Sequence, residues 1–298
     1  MIFTTHVLRF IMPRLLSSVV LASVRLITLT ACESPSPDAD APNASDTDTT
    51  AVAFPDGELV DLSHPFNDDS IYWPTATQEF ELTEEFVGET NGYFYSSYVF
   101  TGAEHGGTHM DAPFHFAESA EAAEEQFTAD EISVDRLIGP AVVVDVSTQV
   151  ADDRTYQVQV ADFEAWEDEH GAIPNGALVL LNTGSAQFYP DREAYMGTAE
   201  RGEDALADLE FPGLHPNAAE WLVANRSIAA IGLDTPSIDY GPSEDFAAHR
   251  ILFPENIAVF ENLTNLNDLP PTGAHLMALP MKIEGAGGAP LRAVAVLP

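Results

Sequence analysis

The sequence is short of cysteine and of basic residues. One cysteine, Cys32, stands among 298 residues, and 11 lysines and arginines face 48 aspartates and glutamates. A single cysteine excludes an internal disulfide framework and a cysteine-rich zinc site. The formal charge of −37 argues against nucleic acid or an anionic membrane surface as a partner, because both would repel the chain. Hydrophobic residues still make up 45% of the sequence, which is enough for a folded domain.

Residues 1–31 contain no acidic side chain, and their apolar run 15–29 follows Arg9 and Arg14. A basic start before a short apolar run predicts a secretory signal peptide rather than a membrane span. The run ends in Leu-Thr-Ala-Cys32, which resembles the lipobox of bacterial lipoproteins. We therefore expect Cys32 to be lipidated and the protein to be exported and membrane-anchored, on the periplasmic or cell-surface side. A buried, inert cysteine is the alternative.

Residues 32–53 are rich in Pro, Asp, Ser and Thr and offer little to bury. This composition predicts an acidic, flexible tether. Residues 54–298 show no fixed repeat and no Gly/Ser-rich break, which favours one domain.

Apolar runs in the domain favour strands over helices. Runs bounded by turn residues predict buried strands at 140–146, 177–181, 228–233 and 293–297. Helical patterns cover 162–170 and 217–224, with Gly171 and Asn225 as C-terminal stops. This balance predicts an α/β or α+β fold with a mixed sheet and few helices.

One short segment concentrates the chemistry. The stretch HGGTHMDAPFH contains His105, His109, Asp111 and His115. On a strand, His109 and Asp111 would share one face and converge on one ion. Two imidazoles and a carboxylate suit Zn²⁺ or Mn²⁺. His115 has the same parity, so we expect it beside the metal as a general acid/base. The alternative is that these histidines bind no metal and are ordinary surface or core residues.

This segment resembles the His-x-Gly-Thr-His-x-Asp-x-Pro-x-His signature of the metal-dependent cyclase-like hydrolases, a family that includes bacterial kynurenine formamidase and isatin hydrolase. The similarity extends over nearly all of residues 59–298, through landmarks such as Asn182-Thr-Gly184, the stretch 232–239 and the stretch 261–264. It implies an α/β fold of the swivelling β/β/α type, a homo-oligomer, and a site with two divalent ions, Zn²⁺ or Mn²⁺.

The resemblance also implies individual roles. His105, His109, Asp111 and Glu261 would hold one ion, and Asp111, His249 and Glu261 the other. His115 would move the proton and Trp73 would line the substrate pocket. Asp234 and Asp239 would support the ligands or simply form turns, and for Asp239 we expect a turn. His64, His170, His215 and His275 are expected to be non-catalytic.

These residues predict a metal-dependent amidohydrolase that cleaves a C–N bond with metal-bound hydroxide and with His115 as general acid/base. The leading substrate class is that of an arylformamidase of the kynurenine formamidase type. The alternatives are a cyclic amide of the isatin type, and a non-catalytic, lipid-tethered protein that uses metal to bind a small molecule. Trp73 with Tyr93, Phe94 and Tyr95 could form an aromatic slot, although the three consecutive aromatics more simply pack a strand.

One segment departs from a minimal member of this family. Residues 184–212 form an acidic insertion with several aromatic residues. We expect this insertion to bear on the substrate rather than on the metal chemistry.

Overall fold

The structure is a computed structural model and describes residues 56–298. The predicted signal peptide 1–31, the tether 32–53 and Cys32 lie outside the described residues. Among the residues described, no helix combines the length and the apolar character needed to cross a bilayer.

Strands dominate the described residues. The strands are β1 Leu59–Asp61, β2 Glu81–Thr90, β3 Tyr93–Thr101, β4 His109–Asp111, β5 Ile138–Asp145, β6 Gln157–Val158, β7 Leu178–Asn182, β8 Gly213–Leu214, β9 Ala230–Leu233, β10 Ala258–Glu261, β11 His275–Pro280 and β12 Gly288–Val296. The helices are α1 Ala120–Ala123, α2 Ser147–Asp152, α3 Val160–His170, α4 Arg192–Met196, α5 Pro216–Asn225 and α6 Ala247–Leu252, with short 3₁₀ turns between them.

Eight strands form one mixed sheet in the order β1-β12-β11-β5-β7-β9-β10-β4. Strand β12 also pairs with β4, which curls the sheet into a barrel-like arrangement. The neighbours β5, β7, β9 and β10 are parallel, whereas the pairs toward either end are antiparallel. The α/β class with a mixed sheet and few helices is therefore confirmed. All four predicted strands form, as β5, β7, β9 and β12.

The parallel strands bury both of their faces. Side chains of one parity, such as Val143 and Leu180, pack inside the curled sheet. Those of the other parity, such as Val142 and Val179, pack under α3 and α5. Burial on both faces explains why these strands read as continuous apolar runs. Both predicted helices form, and Gly171 ends α3 with a φ of 85°.

Strands β2 and β3 form a separate two-stranded hairpin. Its turn is Asn91-Gly92, with φ of 50° and 83°. Asn-Gly is the dipeptide that suits a two-residue hairpin turn with two positive φ angles. The hairpin is largely exposed along its length.

The insertion 184–212 packs onto the body of the domain. Tyr195 and Met196 of α4 join Ile71, Leu209 and Phe211 in a small apolar cluster of their own. The insertion therefore lies against the segment that carries Trp73, which is half-buried beside this cluster.

Candidate metal centre

Strand β4 places the first group of predicted ligands. It pairs with β10 in antiparallel fashion, with His109 opposite Glu261 and Asp111 opposite Val259. His109 and Asp111 therefore share one face of β4, as the parity of the sequence predicts, and Glu261 faces the same side from the neighbouring strand. All three of these side chains are buried.

Two further histidines complete the cluster. His105 lies in the turn before β4, with its Nδ1 2.6 Å from Oδ1 of Asp111. His249 lies on α6, with its Nε2 3.2 Å from Oδ2 of Asp111. Gly288 of β12 makes room for His105, because a Cβ there would lie only 2.5 Å from the His105 ring. The structure therefore brings all five predicted ligands together.

The five side chains form two overlapping donor groups, and within each group the ligand atoms lie within 4.8 Å of one another. One group is His105, His109 and Asp111, and the other is Asp111, His249 and Glu261. Asp111 belongs to both groups. Glu261 also spans them, with Oε2 3.5 Å from Nε2 of His109 and Oε1 3.5 Å from Nε2 of His249.

The electrostatics of the cluster fit a bound cation. Burial and the charge of Asp111 raise the pKa of Glu261. Burial works against the charged form of His109, but Asp111 and Glu261 outweigh it and raise the His109 pKa to about 9. Without metal, protons on the imidazoles thus offset the buried carboxylates. A divalent cation offers the same positive charge, and imidazole with carboxylate is the donor set that Zn²⁺ and Mn²⁺ take.

Asp239 supports the site, which corrects its assignment as a turn residue. Its Oδ2 accepts a hydrogen bond from Nδ1 of His249 at 2.6 Å, and its Oδ1 accepts one from the Ala248 backbone N–H at 2.8 Å. A carboxylate on the outer nitrogen fixes the ring orientation of a metal-binding histidine. The residue stands in the stretch 232–239, but nothing in its local pattern shows that it meets His249.

His115 lies beside the cluster, but it is not on the same strand face as His109 and Asp111, as the spacing of the sequence suggested. Residues Pro113–His115 form a 3₁₀ turn rather than a strand, and this turn brings the ring back over the site. The His115 ring stacks on His105 with a centroid distance of 3.8 Å, and its centroid lies 6.0 Å from that of His249. Desolvation among these rings lowers the pKa of His115, which keeps the imidazole neutral near pH 7.

One cavity opens onto the cluster, and aromatic side chains form its wall. The cavity has a volume of about 390 Å³. Trp73 lies in this wall, with its ring centroid 6.1 Å from that of Phe246. Phe246 in turn lies 5.1 Å from Phe116, also centroid to centroid.

Tyr93, Phe94 and Tyr95 do not line the cavity, and they lie on a strand, which is the interpretation that the sequence favoured for them. These residues begin β3 on the projecting hairpin and are 49–62% exposed. Phe116 and Phe246, rather than Tyr93–Tyr95, contribute the aromatic rings next to Trp73 in the cavity wall. The sequence held one weak signal, since Phe116 follows His115 directly and Phe246 precedes His249 by three residues.

The remaining predicted landmarks lie around the site rather than in it. Buried Asp234 accepts hydrogen bonds from the backbone N–H and the hydroxyl of Thr183, at 2.8 and 2.7 Å, and so holds the turn after β7. The four histidines expected to be non-catalytic are not part of either donor group; they are His64, His170, His215 and His275.

Comparison with known proteins identifies the family. Residues 60–240 match the model of the family described as "Putative cyclase". The chain belongs to the cyclase family. Among curated relatives, it is 32% identical over 255 residues to the isatin hydrolase of Roseibium aggregatum, covering 84% of this chain and 91% of the relative. It is 29% identical over 243 residues to the kynurenine formamidase of Bacillus cereus, covering 80% and 96%.

Solved structures agree with this membership. The isatin hydrolase A of Ralstonia solanacearum superposes with a TM-score of 0.71 at 30% identity, over 81% of this chain and 92% of that one. The chain is therefore a cyclase-family hydrolase, and its His/Asp/Glu cluster is able to hold a divalent metal. Nothing tests the individual ligand roles or the role of Trp73, so these stay predictions.

Proposed function

We propose that this cyclase-family protein hydrolyses the C–N bond of an amide borne by an aromatic ring, with a cyclic amide of the isatin type as leading substrate class. The observation that carries the proposal is the aromatic wall of Trp73, Phe116 and Phe246, which faces the His/Asp/Glu cluster within one cavity. Such a wall favours a flat ring, with its amide carbonyl directed to the metal donors. The 32% identity to an isatin hydrolase supports a cyclic substrate over an open-chain one.

The proposed cofactor is a pair of divalent ions, Zn²⁺ or Mn²⁺. His105 and His109 would hold one ion and His249 the other, with Asp111 and Glu261 shared between them. Support comes from the two carboxylates, each of which spans both donor groups. When bound, the cations supply Lewis acidity, which polarises a carbonyl and activates water at neutral pH.

His115 would move the proton. In the overall reaction, water adds to the carbonyl carbon, the C–N bond breaks, and the nitrogen gains a proton. A neutral imidazole can accept the proton that the water loses and then donate it to the departing nitrogen. The position of the His115 ring, stacked on His105, places it next to the donor cluster.

An open-chain aryl formamide is the second candidate substrate. Its support is the similarity to kynurenine formamidase, which extends over 96% of that protein. Both candidates need the same metal donors and the same aromatic wall. In both reactions the nitrogen stays on the aromatic ring. The cyclic amide opens to a single product, whereas the formamide releases its acyl carbon as formate, so measured rates have to separate them.

A substrate panel tests the proposal. The chain is stripped with chelator, reloaded with Zn²⁺ or Mn²⁺, and given isatin, N-formylkynurenine and an aliphatic lactam of the same ring size as isatin. We expect isatin to be cleaved fastest. Trp73→Ala should raise its KM about ten-fold, from the loss of roughly 1–3 kcal/mol of apolar contact. Trp221→Ala, on α5 and outside this cavity, is the matched control. Equal rates on isatin and the lactam would contradict an aromatic substrate.

Two variants separate metal binding from proton transfer. Asp111→Asn should lower the bound metal measured by elemental analysis, because it weakens a ligand common to both donor groups. His115→Ala should keep the metal but lose roughly 10²–10⁴-fold in rate, the usual effect of removing a positioned acid/base. Full metal occupancy in Asp111→Asn would contradict the metal site. A metal-loaded chain that binds isatin without turnover would instead favour the binding-protein alternative.

A further inference from the structure

A second cavity lies where strands β5 and β7 end, and its described wall shares no residue with the cavity at the metal centre. Its volume is about 390 Å³, which lies in the range of small-molecule sites. Asp145 ends β5 and Asn182 ends β7, and the two residues pair in register. Both line this β5/β7 cavity. The cavity therefore occupies the carboxyl edge of the parallel strands, where ligands commonly bind in α/β sheets.

Asn182 presents a buried amide to the β5/β7 cavity. The residue is only 4% exposed, and within residues 56–298 its side chain has no hydrogen-bond partner. Buried polar side chains are almost always hydrogen-bonded, because an unpaired amide away from water costs free energy. The Asn182 amide therefore offers a ligand one oxygen that accepts and one nitrogen that donates.

The carboxylates in the cavity wall have no cation beside them. Asp145, Asp162 and Glu169 line the cavity, and its described wall contains no lysine or arginine. Asp145 accepts a hydrogen bond from the Ser147 backbone N–H at 2.9 Å. Asp162 accepts one from the Tyr156 hydroxyl at 2.7 Å. Because such donors are neutral, the negative charge of the wall remains and attracts a cation.

The acids are too far apart to share a metal ion. Asp162 and Glu169 stand two turns apart on α3, or about 10 Å along the helix axis. A metal ion needs its ligand atoms within about 2.6 Å of itself. Among the described residues, the groups whose acid and histidine ligand atoms lie within 4.8 Å of one another are at the metal centre and not here. The spread of charge therefore fits an organic cation better than a metal ion.

Part of the cavity wall is apolar. Buried Trp166, Leu266 and Leu269 line it. The indole N–H of Trp166 donates to the Val143 carbonyl at 2.9 Å, which holds the ring in place. Tryptophan is the aromatic side chain that attracts cations most strongly. The cavity thus offers apolar surface to the body of a ligand, and acids and an amide to its charged end.

We propose that the β5/β7 cavity binds a small organic amine. The ammonium group donates to the amide oxygen of Asn182, and Asp145 and Glu169 balance its charge. The apolar body lies against Trp166 and Leu266. The site is separate from the metal centre, so this proposal does not depend on the proposed hydrolytic activity.

Hexylamine is the probe, and 1-hexanol is the uncharged probe of the same length. The full chain, loaded with Zn²⁺, is titrated at pH 7.5 in 0.05 M and 1 M salt and followed by ¹H–¹⁵N NMR. We expect hexylamine to bind with a dissociation constant of about 1 mM, a level that so small a ligand can reach, and more weakly in 1 M salt. Hexanol should bind about ten-fold more weakly. No binding of hexylamine, or equal binding of the two probes, would overturn the proposal.

The indole signals locate the bound amine. The chain has three tryptophans: Trp166 lies in the β5/β7 cavity, Trp73 in the cavity at the metal centre, and Trp221 in neither. Hexylamine should move the cross-peak of Trp166 alone, and the variants Trp73→Ala and Trp221→Ala assign the three signals. A shift of Trp73 without one of Trp166 would overturn the proposal. An equal shift of Trp166 with CaCl₂ would also overturn it, in favour of a metal ion.

Two variants test the proposed contacts. Asn182→Leu removes the amide at nearly constant size and should raise the dissociation constant of hexylamine about ten-fold or more. The double variant Asp145→Asn with Glu169→Gln changes only exposed side chains, so it tests the site even if Asn182→Leu does not fold. It should raise the constant roughly two- to five-fold in 0.05 M salt.

A matched double variant controls for net charge. Glu164→Gln with Asp168→Asn removes the same charge from exposed positions of α3 outside the cavity wall. Its dissociation constant should equal that of the wild type. An unchanged constant in either test variant, or an equal rise in this control, would overturn the proposal. None of these measurements depends on turnover, so their outcome is independent of the proposed activity.

Discussion

Oδ2 of Asp239 lies 2.6 Å from Nδ1 of His249, and Nε2 of the same imidazole lies 3.2 Å from Oδ2 of Asp111. The His249 ring is thus held between two buried carboxylates. Asp111 and Asp239, with Glu261, raise the pKa of His249 against the effect of its burial. Asp239 orients the ring, and the other nitrogen is directed into the donor cluster.

We predict that Asp239→Asn weakens metal binding. The amide keeps the size of the side chain but loses the charge that holds the His249 ring. Loss of such a supporting carboxylate typically costs 10–100-fold in metal affinity. The affinity is measured by chelator competition at a temperature where the metal-free variant is folded. Asp245→Asn, an exposed acid near α6, is the control. An affinity equal to that of the wild type would restrict Asp239 to a turn role.

We predict that Arg192→Leu disturbs substrate binding without touching the metal. Arg192 comes from the insertion and donates to the backbone carbonyl of Tyr72 at 2.9 Å and to Glu79 at 2.8 Å. It therefore ties down the segment that carries Trp73. Without these bonds, KM should rise by several-fold or more, since a hydrogen bond to a charged group contributes about 1.5–3 kcal/mol. Metal content should stay constant. Arg250→Leu, exposed on α6, is the control, and an unaltered KM would show that the insertion does not shape the pocket.

We predict that His64 makes the domain sensitive to mild acid. Burial lowers the pKa of His64 to about 4, although Asp61 opposes the shift. Its ring stacks on Tyr189 at 3.7 Å, and its buried Nε2 has no hydrogen-bond partner. As pH falls from 6.5 toward 4, His64 becomes protonated in the unfolded chain but stays neutral in the folded chain. The free energy of unfolding therefore falls over this range, by at most about 1.4 kcal/mol per pH unit from this group.

His64→Phe should flatten that dependence, because the ring keeps its stacking but no longer titrates. Urea unfolding between pH 4 and 7 measures the slope, with His275→Phe at an exposed position of β11 as control. If the slope of His64→Phe equals that of the wild type, another group is responsible for the acid sensitivity.

We propose that Cys32 carries a lipid anchor, and predict that Cys32→Ser moves the protein from the membrane fraction to the soluble fraction. The supporting observation is the apolar run that ends at Cys32, followed by the acidic stretch 32–53. Specific activity should be unchanged, because the tether would separate the anchor from the domain. Fractionation followed by an activity assay checks both expectations. Retention of the variant in the membrane fraction would contradict the lipobox.

Local sequence determined much of the fold and the centre of the site. The apolar runs of β5, β7, β9 and β12 predict buried strands, because alternation and continuity report which faces a strand buries. The spacing of His109 and Asp111 places both on one face of β4 for the same reason. His115 shows the limit of that reasoning. Its parity suggested a strand, but Pro113 begins a 3₁₀ turn, and the turn brings the ring over the site.

Tertiary structure decided which distant residues join this centre. His249 and Glu261 stand 138 and 150 positions after Asp111 in the chain, and only the resemblance to a family pointed to them. The sequence suggested that Asp239 is a turn residue, whereas in the structure α6 places His249 in hydrogen-bond contact with it. The sequence suggested that Tyr93–Tyr95 line the pocket or pack a strand, whereas in the structure they lie on the hairpin and are exposed to solvent. Periodicity records which side chains share a face of one element, but the meeting of two elements depends on how the whole chain packs.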